Sequence, residues 1–266
     1  MLVKRVISGL LFLPFFYLFT WVLPPVYLTA LVLVAGMIGQ YEFYRMAKAR
    51  GSEPNVLLGV AAGAVLIIEA YTPLFSGAFT YYLAAFVLLL LSSRLFSSAP
   101  VDGAIEDVAV TVMGVFYVAF LFSYLVAVRM LPNGRQWLVF LFFIIWASDI
   151  GAYSIGIPFG RHRLYEKISP KKSMEGLAGS LAAAAGMALL CRIWFIPSVD
   201  MAEGAAIAVV LALVGTVGDL AESMFKRAAG IKDSGGIIPG HGGMLDRMDS
   251  MMFAAPVLYY YVRMRS

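Results

Sequence analysis

Apolar runs of about 18 residues or more recur along this chain of 266 residues. As a helix, each run is long enough to cross a hydrocarbon core about 30 Å thick. Inside lipid every backbone polar group needs an internal partner, so only helices and closed barrels span it. The runs are continuous and do not alternate, which excludes a barrel. Composition agrees: 61% of residues are hydrophobic and 14% charged, against about 45–50% and about 25% in an average soluble domain. So little polar surface excludes a water-soluble globule, a disordered chain and a fibre. The expected fold class is all-α, a polytopic transmembrane helical bundle.

Nine spans are expected, at roughly 6–22, 26–46, 56–71, 79–96, 108–130, 136–156, 175–195, 203–226 and 250–264. Breakers mark the joints: Pro24-Pro25, Gly51 to Pro54, Thr72-Pro73, Ala99-Pro100, Pro132 to Gly134, Pro158 and Pro197. Residues 1–135 form an N-terminal region of about five spans. Residues 136–266 form a C-terminal catalytic region with cytoplasmic loops 157–174 and 227–249. Lys4 and Arg5 precede a run without a small-residue cleavage site, so it reads as a first span. Of the 20 basic residues, Arg129, Arg135, Arg192, Arg263 and Arg265 fall on one side and the other 15 on the opposite side. That bias places the N-terminus inside and the C-terminus outside, and the expected location is the cell (inner or plasma) membrane. It also explains the net charge of +4 without a nucleic-acid partner. Cys191 is the single cysteine, so no intramolecular disulfide forms, and His162 and His241 are too few for a histidine metal cage.

Charge at membrane depth costs about 2.5–3.5 kcal/mol per residue on insertion scales, so it marks function. Asp219, Glu222, Ser223 and Lys226 follow an i, i+3, i+4, i+7 spacing, which puts all four on one helix face. A water-facing ladder of ion pairs would also use that spacing, but Asp219 sits deep in an apolar stretch. The loop beyond holds Lys232-Asp233, then Pro239-Gly240-His241-Gly242-Gly243, then Asp246-Arg247-Met248-Asp249. Asp219, Glu222, Asp233, Asp246 and Asp249 are five of only 16 acidic residues, placed within 31 positions. A flexible glycine-rich linker would explain the glycines but not these carboxylates. Hard carboxylate oxygens suit Mg²⁺, glycine backbones suit anion nests, and lysines and arginines neutralise phosphate. This layout suits phosphoryl or nucleotidyl transfer. No Walker A loop occurs.

A second polar group ends the sixth span, where Asp149, Tyr153 and Gly156 lie at i, i+4, i+7. The loop after it carries Arg161, Arg163, Lys167, Lys171 and Lys172 against Glu166. Anionic lipid headgroups and substrate phosphate are equally good partners for it. Glu42 and Arg45, at i, i+3, read as a local ion pair, and Glu69 as a snorkelling side chain.

The pattern Ser223-x-x-Lys226-Arg227-x-x-x-x-Lys232-Asp233-x-Gly235-x-x-x-Pro239-x-His241-Gly242-Gly243-x-x-Asp246-Arg247-x-Asp249 resembles the signature of the integral-membrane phosphatidate cytidylyltransferases, or CDP-diacylglycerol synthases. So do Asp149-x-x-Ala152-Tyr153-x-x-Gly156 and Ile168-Ser169-Pro170-Lys171-Lys172-Ser173-x-Glu175-Gly176. That family commonly has Thr-Trp where this chain has Ser173-Met174, and serine keeps the hydroxyl. The matches cover roughly the last 120 residues, while the first five spans resemble the family only in hydropathy.

The resemblance implies CTP and phosphatidic acid as substrates, CDP-diacylglycerol and pyrophosphate as products, and Mg²⁺ with room for a second cation. It also implies a homodimer among membrane lipids, with a cytoplasmic active site. Asp219 and Asp246 are then expected to bind metal, with Asp249 and Asp149 as further ligands. Lys226, Arg227 and Arg247 would hold phosphates, and Lys171 and Lys172 would steer anions at the mouth. Gly240, Gly242 and Gly243 would offer backbone donors, His241 a donor to pyrophosphate, and Ser223 a hydroxyl to phosphate or metal. Ser173, Lys232, Asp233 and Tyr153 complete the expected substrate contacts. A cytidylyltransferase for another lipid phosphate, such as an archaeal ether lipid, would share these motifs. A cation transporter would need inverted repeats, which the sequence lacks, and a lipid-binding scaffold would not need the acidic cluster.

Overall fold

The computed structural model describes residues 14–72, 77–236 and 242–265, with side chains from 79 onward in the second of these segments. A π-helical turn at Leu18–Val22 ends the first expected span. Helix α1 (Pro25–Lys48) begins on Pro25, whose missing N–H is one that a helix start leaves unpaired anyway. Helix α2 (Val56–Glu69) is capped by Asn55, whose side chain accepts from the Leu58 N–H at 3.0 Å. Helix α3 is Gly77–Leu95. Helix α4 (Val101–Met130) opens on a 3₁₀ turn and contains a π-helical stretch, Val115–Phe120. Asn133, at φ 56°, turns the chain into α5 (Gly134–Phe159).

The loop expected after α5 holds a short antiparallel hairpin, β1 (Arg163–Tyr165) with β2 (Ser169–Ser173). Its strands are too short and polar to show as an alternating pattern. Ser173 then caps α6 (Met174–Trp194), its Oγ accepting from the Gly176 N–H at 3.1 Å. Asp200 caps α7 (Met201–Ala228), and the N–H groups of Ala202 and Glu203 hold its carboxyl below the usual range. Helix α8 (Leu245–Arg265) closes the chain.

Among the described residues, five helices are long and apolar enough to cross a membrane: α1, α4, α5, α6 and α7. Helix α2, with 14 residues, extends only about 21 Å at 1.5 Å per residue. In α8, Asp246, Arg247 and Asp249 at one end and Arg263 and Arg265 at the other shorten the apolar stretch. The bundle is helical throughout apart from the hairpin. The larger of two buried apolar clusters among the described residues runs through it, with Phe122, Leu138, Phe140, Leu141, Ile144, Leu211 and Leu258 at its centre. It draws on both the 1–135 and the 136–266 regions. Large apolar side chains such as Leu88, Ile193 and Trp194 lie outside it, where lipid tails solvate them as well as a core would.

The most extensive helix pair is α5 with α6, followed by α7 with α8. Glycines set both. A Cβ on Gly151 would sit 2.5 Å from the Gly179 carbonyl oxygen, and one on Gly179 2.7 Å from that of Gly151. A Cβ on Gly218 would sit 2.6 Å from the Asp249 carbonyl oxygen. Small residues let helix backbones approach closely in lipid, where packing supplies the attraction. Gly151→Val is therefore expected to force α5 from α6 and to cost about 1–3 kcal/mol. Thermal unfolding in detergent measures this, and an unchanged midpoint would contradict the close contact.

Candidate active site

The α7 face predicted from spacing is real and graded in depth. Asp219 keeps 34% of its side chain exposed and Glu222 keeps none. Lys226 Nζ lies 2.5 Å from Glu222 Oε2 and 2.5 Å from Asp246 Oδ1 of α8. The pairing is therefore buried, not a ladder facing water. It is also split, because Asp219 turns from α7 to Lys172 of β2, whose Nζ lies 2.6 Å from Asp219 Oδ2. Ser223 Oγ donates to Asp219 Oδ1 at 3.4 Å. Removing one member of a buried ion pair typically costs about 3–5 kcal/mol, so Lys226 joins α7 to the start of α8.

Asp246 is filled by protein donors. Lys226 takes Oδ1, and Oδ2 accepts from Ser234 N at 2.9 Å, Ser234 Oγ at 2.9 Å and Gly243 N at 2.8 Å. These four contacts hold the carboxylate in place, three of them on Oδ2 and the Lys226 ammonium on Oδ1. Asp246, expected from the sequence to bind metal, ties the loop to Lys226. Gly242 precedes this contact at φ +81°, a left-handed conformation that glycine adopts freely.

Three other carboxylates converge from three helices. Asp149 on α5 lies within electrostatic reach of Asp219 on α7 and of Lys172. Asp249 on α8 lies within reach of Asp149, Asp219 and Glu222. Glu222 Oε1 and Tyr117 Oη are buried without a hydrogen-bond partner among the described residues. Tyr117 lies within electrostatic reach of Asp219, Glu222 and Asp249. Like charges that feel one another disfavour joint ionisation, and a cation bound among them would offset that repulsion. Among the described residues no set of three or more such ligands forms a cage. Mg²⁺ does not require one, since one or two carboxylates suffice beside water and phosphate. The donors therefore fit a hard cation at Asp219 and Asp249, with Asp149 beside them.

The expected phosphate contacts lie around this cluster. Arg227 is exposed, its Nε donating to the Ile168 carbonyl at 3.3 Å and its Nη1 to the Ile231 carbonyl at 3.3 Å. Lys171, Lys232, Asp233 and Arg247 are exposed, and Tyr153 is 71% exposed. Ser173 is buried, and its hydroxyl caps α6. Gly240 and His241 lie outside the described residues.

Glu42 corrects the reading of a local pair with Arg45. It is 1% exposed, and it accepts from Met244 N at 3.0 Å, Leu245 N at 3.0 Å and Ser234 Oγ at 3.2 Å. Arg45 donates instead to the Ser234 carbonyl at 3.0 Å. Both partners are about 190–200 positions away, so no local spacing signals them. The available hint was a carboxylate set inside an otherwise apolar span. Ser234 and Tyr117 were missed for the same reason.

The sequence matches the model of the cytidylyltransferase family over residues 3–265. It is 33% identical to the phosphatidate cytidylyltransferase of Synechocystis sp., covering 89% of this chain and 88% of that protein. It is 30% identical to the one of Bacillus subtilis over 99% and 98% of the two chains. A further one, from Staphylococcus saprophyticus, is 41% identical over 57% of this chain and 58% of its own. With both halves of the bundle inside these matches, the chain belongs to the cytidylyltransferase family.

Proposed function

We propose that this chain is a phosphatidate cytidylyltransferase, which transfers CMP from CTP to phosphatidic acid and releases CDP-diacylglycerol and pyrophosphate. The observation that carries the reading is the convergence of Asp149, Asp219, Glu222 and Asp249 with Lys172 and Lys226 at one end of α5, α7 and α8, in a chain matching such enzymes nearly end to end. A phosphate oxygen of phosphatidic acid attacks the α-phosphorus of CTP, the bond to the bridging oxygen breaks, and that oxygen leaves with pyrophosphate. The attacking monoester is already ionised near neutral pH, its second pKa being about 6, so no strong general base is needed. The task is to hold two polyanions together.

The exposed bases Lys171, Lys232, Arg227 and Arg247 attract and orient the phosphates at the mouth. Lys172 and Lys226 sit deeper, where lower dielectric strengthens their pull on negative charge. The Gly243 N–H beside them is engaged by Asp246 and holds the turn in place. Asp219 and Asp249, with Asp149, would hold Mg²⁺ and a second cation, which supply positive charge against the phosphates. The diacyl chains stay in the bilayer, which requires a side opening between helices. The orientation expected from the basic residues puts this site and the N-terminus in the cytoplasm and the C-terminus outside. Family membership supports a homodimer as part of the same reading.

Asp219→Asn and Asp249→Asn are expected to lower CTP-dependent formation of CDP-diacylglycerol by about 10²–10³-fold, and chelation of divalent ions to abolish it. Purified folded variants with wild-type turnover would refute these roles. Topology has its own check. With Cys191 replaced, a cysteine at Lys171 is expected to react with a membrane-impermeant maleimide only from the cytoplasmic side, and one at Pro132 only from outside. The reverse pattern would invert the orientation.

A further inference from the structure

Helix α8 starts at Leu245. The N–H groups at its start point at Glu42, which comes from α1 on the opposite half of the sequence. The carboxylate accepts from Met244 N and Leu245 N through separate oxygens, each at 3.0 Å. An anion at a helix N-terminus satisfies unpaired donors and complements the helix dipole. Glu42 is buried and this helix start is its counterpart. The surrounding backbone is built to admit it. A Cβ on Gly235 would lie 2.2 Å from Glu42 Oε1, and one on Gly243 2.5 Å from Oε2.

The clasp reaches the charged cluster through one hydroxyl. Ser234 Oγ lies 3.2 Å from Glu42 Oε2 and 2.9 Å from Asp246 Oδ2. It has a single hydrogen to share between two carboxylates. Ser234 is held from both sides, since its carbonyl accepts from Arg45 and its N–H donates to Asp246. Asp246 in turn pairs with Lys226. The chain of contacts therefore runs from α1 through Ser234 and Asp246 to the ammonium of α7.

We infer that Glu42 is a positioning residue for the reaction. It fixes the segments on either side of residues 237–241 and the start of α8, and so sets where Asp246 holds Lys226. The N-terminal region would then do more than anchor the chain in lipid: one of its carboxylates would hold Ser234, Met244 and Leu245 in place beside Asp246. This inference rests on the cytidylyltransferase reading above. It predicts that Glu42 matters for CTP handling although its carboxylate is buried against Ser234 and the start of α8.

The test compares wild type, Glu42→Gln, Glu42→Ala, Ser234→Ala and the Glu42→Gln/Ser234→Ala double variant in detergent–phosphatidate micelles with Mg²⁺ and CTP. Glutamine keeps one acceptor oxygen but turns an NH₂ toward an N–H. Partners that act behind a site typically change affinity or activity by about 10–100-fold. Glu42→Gln is expected to lose kcat/KM for CTP in that range, mainly through a raised KM, with its unfolding midpoint near that of wild type. Glu42→Ala is expected to lose more. The double variant is expected to fall short of the product of the two single losses, because both act through one contact chain. Hydrogen exchange is expected to rise in peptides covering 231–249 and not in α5 or α6. A folded Glu42→Gln enzyme with unchanged KM and kcat, or fully multiplicative losses in the double variant, would overturn the inference. If Glu42→Gln and Glu42→Ala fail to fold, unchanged KM and exchange in Ser234→Ala would overturn it. Wild type that makes no CDP-lipid would instead reject the underlying function, a different result from active wild type with indifferent Glu42 variants.

Discussion

Lys226 is the buried cation on which the polar interior depends. It sits between Glu222 of its own helix and Asp246 of the next, both at 2.5 Å. A lone ammonium or carboxylate at this depth would be costly, and so would two carboxylates without it. The three groups are tolerable only together. Their mutual need fixes α7 against the N-terminus of α8 more specifically than apolar packing could, because apolar contacts have no direction.

Helix packing makes that meeting possible. Gly218 removes the side chain that would hold α7 off the Asp249 carbonyl, and Gly151 with Gly179 does the same between α5 and α6. Asp149, Asp219 and Asp249 come from three helices and gather because those helices run this close. The hairpin β1–β2 then brings Lys172 to Asp219 from outside the bundle. The result is an acidic centre with bases near it and exposed bases at its rim. That gradient suits polyanionic substrates, since positive charge draws them in and the deeper dielectric strengthens the grip.

Glu42 binds the two halves into one functional unit. Its buried carboxylate ends on the backbone of α8, and Arg45, one turn on, ends on Ser234. A division of the chain into an anchoring half and a reacting half therefore does not describe its hydrogen bonds. Glu42 and Arg45 find their partners across the divide, which lowers the cost of burying them.

The sequence by itself determined the solvent and the helices. Apolar runs too long for a soluble core dictated a membrane bundle, and Pro, Gly and Asn breakers placed most of its joints. It also determined one face of the site. Asp219, Glu222, Ser223 and Lys226 share a helical period, and period is a local property. Tertiary structure decided the partners. Whether Lys226 pairs with Asp246, whether Asp219 turns to Lys172, and whether Ser173 caps a helix or meets a ligand depend on contacts between elements distant in sequence. Glu42 illustrates the limit most clearly. Its spacing to Arg45 suggested a local pair, but both side chains cross to the far end of the chain. There, backbone donors of a starting helix and a serine carbonyl had no nearer partners, and no local pattern carries that demand.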